Sequence, residues 1–141
     1  MANSENTPIP QEVIASKYKD SYIDDYASWA NRGINMGLTI SVSGIVYTGV
    51  LIGVNEWCDK MISQIEASNN TDEAKEAITS YYTQMKESFY SDIDEVNSNI
   101  NFVHMKNVRI VTGDSISKVS SIWRFKIDEI DGFSVGVWQE S

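Results

Sequence analysis

Apolar residues change period twice along this chain. Over residues 36–54 and again over 102–137 they recur at every second position, whereas across residues 55–97 they recur every third or fourth. A two-residue period marks strands with one buried face, and a period near 3.6 marks an amphipathic helix. The punctuation agrees. Ser43-Gly44 reads as a tight turn between Leu38-Ile40-Val42 and the β-branched run that starts at Ile45. Asp131-Gly132 separates the alternating Trp123, Phe125 and Ile127 from Phe133, Val135 and Val137, and it carries the residues of a type I′ hairpin turn, which needs positive φ at both central positions. Gly49 and Gly53 predict bends or bulges, the devices that curl a sheet.

Upstream, Ile14, Tyr18, Tyr22, Tyr26 and Trp29 follow Pro10 at helical spacing, and Gly33 is placed to end that helix. One helix over residues 10–33 is expected, its aromatic stripe packed on the sheet or offered to a partner. Residues 1–9 are too polar to order themselves. The middle of the chain holds two helices. Trp57, Cys58, Met61, Ile62 and Ile65 line the first; Ala74, Ile78, Met85, Phe89, Ile93 and Val96 line the second, with Asn70 or Thr71 as its cap. Asp92, Asp94 and Glu95 oppose the second helix's dipole, so fraying is expected after Tyr90.

The expected fold class is α+β: a small, strongly bent antiparallel β-barrel of about five strands, Sm-like or SH3-like. It forms a single domain over residues 10–141, with the N-terminal helix, a β-hairpin over 36–54, a helical hairpin over 55–97 inserted between strands two and three, and a three-stranded segment over 102–138. A helix-covered open sheet is the competing architecture.

Charge narrows the function. With 20 acidic against 11 basic residues the formal net charge is -9, and phosphate backbones gain affinity from clustered Lys and Arg, which here read as scattered. Nucleic acid is therefore not expected as a partner. Neither is a membrane, because the apolar run over 45–54 is too short to span a bilayer. The N-terminus has no basic segment followed by an apolar run, which points to the cytoplasm. Cys58 stands alone and reads as a small buried hydrophobe.

Reactive constellations are sparse. His104, Asp114 and Ser115 are the residue types of a hydrolytic triad, but no nucleophile elbow accompanies them, and His104 alternates within a strand, where a hydrogen bond across the sheet or to the Asp114 loop suits it better. Arg109, Arg124 and Lys126 with Trp123 form the alternative of a small-ligand or nucleic-acid module. Asp128, Glu129 and Asp131 match no calcium loop and read as a solvated turn. No catalytic residue, metal set or cofactor site is expected. The candidate interaction residues are Tyr18, Tyr22, Tyr26, Trp29, His104, Asp114, Trp123, Arg124 and Trp138.

Read together and in order, the runs Gly37-Leu38-Thr39-Ile40-Ser41-Val42-Ser43-Gly44, Tyr47-Thr48-Gly49-Val50-Leu51-Ile52 and Phe102-Val103-His104-Met105-Lys106-Asn107-Val108-Arg109-Ile110 resemble the gas-vesicle accessory protein U family. Gly113-Asp114-Ser115, Trp123-Arg124 and Ile130-Asp131-Gly132-Phe133 with Gly136 continue the resemblance, which covers roughly residues 33–137 and leaves the aromatic helix before Gly33 as an addition. It implies a cytoplasmic, non-enzymatic accessory protein without a cofactor. Its expected partners are further copies of itself, as a homo-oligomer, and gas vesicle shell or accessory proteins, in vesicle assembly or clustering. The alternative is an oligomeric small-barrel binding module unrelated to vesicles.

Overall fold

Strand alternation from Met36 onward yields one antiparallel sheet whose two faces are kept in register across its neighbours. The computed structural model describes residues 19–91 and 93–139. Its elements, in chain order, are α1 (Ser21–Asn31), β1 (Met36–Val42), β2 (Ile45–Ile52), α2 (Val54–Glu66), α3 (Asp72–Ser91), α4 (Ile93–Ser98), β3 (Phe102–Thr112), β4 (Ser115–Ile116), β5 (Ser121–Lys126), a 3-10 turn (Ile127–Glu129) and β6 (Gly132–Val135). The sheet runs β4-β3-β2-β1-β6, and β5 lies beside β4 on the same edge of the long strand β3.

The inner face is apolar. Leu38, Ile40, Leu51, Val103, Met105, Val108 and Phe125 point into one core, covered by Ile23, Ala27 and Ala30 of α1. Each such fully buried aliphatic contributes roughly 1.5–3 kcal/mol relative to exposure. Helix α1 begins at Ser21 because Asp20 caps it, its carboxylate accepting the Tyr22 N–H at 2.9 Å. Its last turn closes through the Gly33 N–H to the Ala30 carbonyl. Of the helix expected over 10–33, the described residues hold Ser21–Asn31, which starts after an extended Asp20; the part before Lys19, with Pro10, Ile14 and Tyr18, lies outside the described residues, as do residues 1–9.

The first hairpin forms as its sequence predicts. Val42 pairs with Ile45, and both Ser43 and Gly44 have positive φ, 50° and 84°. The second expected hairpin does not form. β5 pairs with β3 and β6 with β1, so Asp131-Gly132 joins strands on opposite edges of the sheet, and neither residue has positive φ. The chain turns instead at Ile127–Glu129, where the Ile127 N–H donates to the Asn101 carbonyl. Asp131 then docks on the first hairpin: its N–H donates to the Ser41 carbonyl and its carboxylate accepts the Ser43 N–H, both at 2.8 Å. No ladder joins β5 to β6, so the expected barrel is an open six-stranded sheet rather than a closed one of five.

A bulge bends β3. Thr48 pairs with Arg109 and Val50 with Lys106, so β3 places two residues, Asn107 and Val108, against Gly49. Asn107 takes up the extra length at φ 54°. The bend lets one edge of β3 serve β5 in its first half and β4 in its second. The loop expected after Gly113 therefore includes a short strand, Ser115–Ile116, across a two-residue turn.

Between β2 and β3 the described residues are helical over Val54–Glu66, Asp72–Ser91 and Ile93–Ser98, joined in part by the expected polar linker after Glu66. Thr71 caps α3 by accepting the Ala74 N–H. α2 and α3 hold each other through the Trp57–Tyr82 edge contact at 5.8 Å and the Lys86–Asp59 ion pair at 2.5 Å. Cys58 is fully buried, and burial pushes its thiol up. No helix of the described residues is long and apolar enough to cross a membrane.

Candidate interaction site

The outer face of the sheet is where the polar side chains collect. Cross-strand register puts Thr39 beside Thr48, Ile52 beside His104, His104 beside Arg124, and Phe102 beside Lys126, all on the side away from the core. Lys106 and Arg109 occupy the same face of β3. The basic residues that read as scattered along the sequence are therefore gathered by β3 and β5 onto one surface.

One end of that surface is covered by α2. Trp57 packs on His104 with ring centroids 4.7 Å apart, and Glu56 accepts hydrogen bonds from Lys106 at 2.6 Å and Asn35 at 2.9 Å. Partial burial works against ionised Glu56, but the bonds from Lys106 and Asn35 outweigh it and lower the carboxyl. His104 is only 7 % exposed. Burial, reinforced by the Arg124 guanidinium, holds its imidazole at about 4, so the ring is neutral at pH 7. Arg124 itself lies over the Phe102 ring, 3.7 Å from the centroid.

This placement overturns the expected hydrogen bond from His104 to the Asp114 loop and leaves the hydrolytic alternative without a triad. Asp114 and Ser115 sit at the far end of β3, about eight residues and roughly 25 Å along the strand from the imidazole. Asp114 is an exposed residue of the hairpin turn. The carboxylates of the second turn are otherwise engaged: Asp131 holds Ser43, and Asp128 lies 3.8 Å from Lys126.

At the other end, the segment after β6 crosses the outer face. The Gly136 N–H donates to the Gly37 carbonyl, and Val137 lies directly over Gly37, where a Cβ would stand 2.7 Å from the valine methyl. A hydroxyl relay pins it. Thr39 donates to the Gly136 carbonyl at 2.9 Å, so it must accept from Thr48 at 2.8 Å, and Thr48 in turn accepts the Trp138 N–H at 2.8 Å. Both threonines are buried. Thr48→Val keeps the shape but strands the Trp138 N–H and one Thr39 lone pair. We expect a loss of about 1–3 kcal/mol in urea unfolding together with a change in tryptophan fluorescence. An unchanged unfolding midpoint would show that the relay contributes nothing.

Between the crossing segment and the β3–β4 hairpin lies a cleft of about 590 Å³ that Trp138, Arg109, Lys118, Ser117, Ser120 and Asn107 help to line. Trp138 is 49 % exposed. The Arg109 guanidinium donates to the Ser117 and Lys118 carbonyls, which fixes its position at the rim. Sequence reasoning picked out Trp138 but missed Lys118 and the hydroxyls. The readable signal was local charge: residues 102–126 hold five of the chain's 11 Lys and Arg but only one of its 20 acidic residues.

The aromatic candidates divide. Tyr26 packs edge-on against Phe133 of β6 at 5.7 Å and belongs to the fold, whereas Tyr22 and Trp29 stay 64 % and 46 % exposed. Trp123 stacks on Phe125 at 5.7 Å and touches Tyr47, on the inner side near the β5 edge. Tyr18 lies outside the described residues.

A family model described as gas vesicle protein GvpU-like matches residues 20–138. The chain belongs to the GvpU-like family. The match takes in α1, so the aromatic helix is part of the family pattern and not an addition to it. It ends at Trp138, so the crossing segment is also inside it. Searches of the curated proteins and of the solved structures found no match.

Proposed function

We propose that this GvpU-like protein is a non-enzymatic, cytoplasmic gas-vesicle accessory protein, acting through self-association and through contacts with vesicle shell or accessory proteins in assembly or clustering. The observation that carries the reading is the family match, which runs unbroken through every described strand and helix. The fold supplies the means. β5 and β6 each have an edge without a strand partner among the described residues, and unpaired amides and carbonyls are a ready template for strand addition. Val135 on β6 and Tyr22 and Trp29 on α1 place exposed apolar surface near one edge, and Trp123 does so near the other.

Self-association is tested by size-exclusion chromatography with light scattering, and the vesicle role by electron microscopy of purified gas vesicles with and without the protein. Concentration-dependent assembly and clustered vesicles are expected, both reduced by Val135→Lys, which sets a charge on the β6 edge. A monomer at every concentration, with vesicles dispersed alike in both samples, would overturn the reading.

A further inference from the structure

We propose that the cleft between the β3–β4 hairpin and the segment crossing the sheet at Val137 and Trp138 is a binding site for an extended, acidic peptide segment of a partner protein. Its volume of about 590 Å³ is that of a ligand site. Its charge is opposite to the protein's own. In a chain of net charge -9, no carboxylate is found among the described residues that line the cleft, while Arg109 and Lys118 both stand at it. Lys106, on the same face of β3, is by contrast paired with Glu56 at 2.6 Å. Neither Arg109 nor Lys118 has a carboxylate partner among the described residues. Arg109 is moreover held in place by two backbone carbonyls, so little of its freedom remains to be lost on binding.

The rest of the lining selects the ligand class. Val50, Val137 and Trp138 give an apolar floor, and Ser120 and Asn107 supply groups able to pair with peptide amides and carbonyls. In an extended peptide successive side chains point to opposite sides, so alternating acidic and apolar residues present carboxylates to the cations and apolar groups to the floor together. A nucleic acid fits worse. Two unpaired cations on a protein of this net charge neutralise too few phosphates to hold a backbone at physiological salt.

The test is fluorescence anisotropy with the full chain and a labelled peptide of alternating Glu and Leu, against the matched Gln and Leu peptide and a labelled oligouridine. The acidic peptide should bind, with the neutral one weaker by about tenfold or more. Lys118→Glu and Trp138→Ala, at exposed positions, should each weaken it by about tenfold with the melting temperature unchanged. Arg109→Gln should do the same, but Arg109 also braces the hairpin, so the other two variants decide the outcome. Equal binding of the Gln peptide, indifference to Lys118→Glu, or tighter binding of oligouridine would each overturn the site. Vesicles are absent from the assay, so its result stands whichever way the clustering experiment falls.

Discussion

Gly53→Val is expected to destabilise the protein by about 3 kcal/mol or more, read as a fall in the urea midpoint with little change in slope. Gly53 is the residue at which β2 passes under the end of α1. A Cβ there would stand 2.6 Å from the Ala30 carbonyl oxygen and 2.9 Å from the Asn31 Cα, both backbone atoms that no side-chain rotation can move aside. Relief requires α1 to shift, and α1 carries Ile23, Ala27 and Ala30 into the core. The same shift breaks a cap. Gly53 has no side chain to satisfy the first amides of α2, and the Asn31 side chain accepts the Val54 N–H at 3.0 Å instead. A variant that unfolds at the wild-type midpoint would mean that this crossing is loose and does not tie the helices together.

Stability should also fall as the pH drops from about 6.5 to 4, by on the order of 3 kcal/mol from His104 alone. The imidazole titrates near its ordinary 6.5 in the unfolded chain and at about 4 in the folded one. Between those values the unfolded state binds more protons, so stability rises with pH; it is complete above 6.5 and exhausted below 4. The groups facing the ring explain the direction. Trp57 of α2 covers it, Ile52 and Arg124 flank it on β2 and β5, and no carboxylate bonds to it among the described residues to repay a charge. Comparing urea midpoints of the wild type and His104→Gln across this range isolates the imidazole from the carboxylates. Parallel pH profiles would sink the assignment.

Local signals in the sequence were sufficient where partners are local. Ser43-Gly44 turns as its residues require, Thr71 caps α3, and the bulge anticipated at Gly49 lies opposite it on β3, whereas Gly53 makes no bulge and is the N-cap residue of α2 where α1 crosses. Asp131-Gly132 misled for the converse reason. Its turn chemistry is as good as that of Ser43-Gly44, but its hydrogen bonds go to Ser41 and Ser43, some ninety positions earlier, and no window around residue 131 contains them. Closure of the barrel failed with it. The candidate site was half legible. Trp138 and Arg109 were noticeable as residue types, yet what brings them together is Gly37, whose missing Cβ lets Val137 cross, and the bulge at Asn107, an unremarked asparagine inside a strand. The aromatic stripe of α1 allows packing on the sheet or contact with a partner, and α1 divides it: Tyr26 packs on Phe133, while Tyr22 and Trp29 stay exposed.

The pairing of β6 with β1 also orders events during synthesis. A ribosome delivers residues 36–42 long before 132–135, so one side of β1 has no partner strand until the end of the sheet is made. Until residues 132–135 arrive, that side of β1 offers unpaired amides and carbonyls, the same template for strand addition that the finished sheet keeps only at its edges.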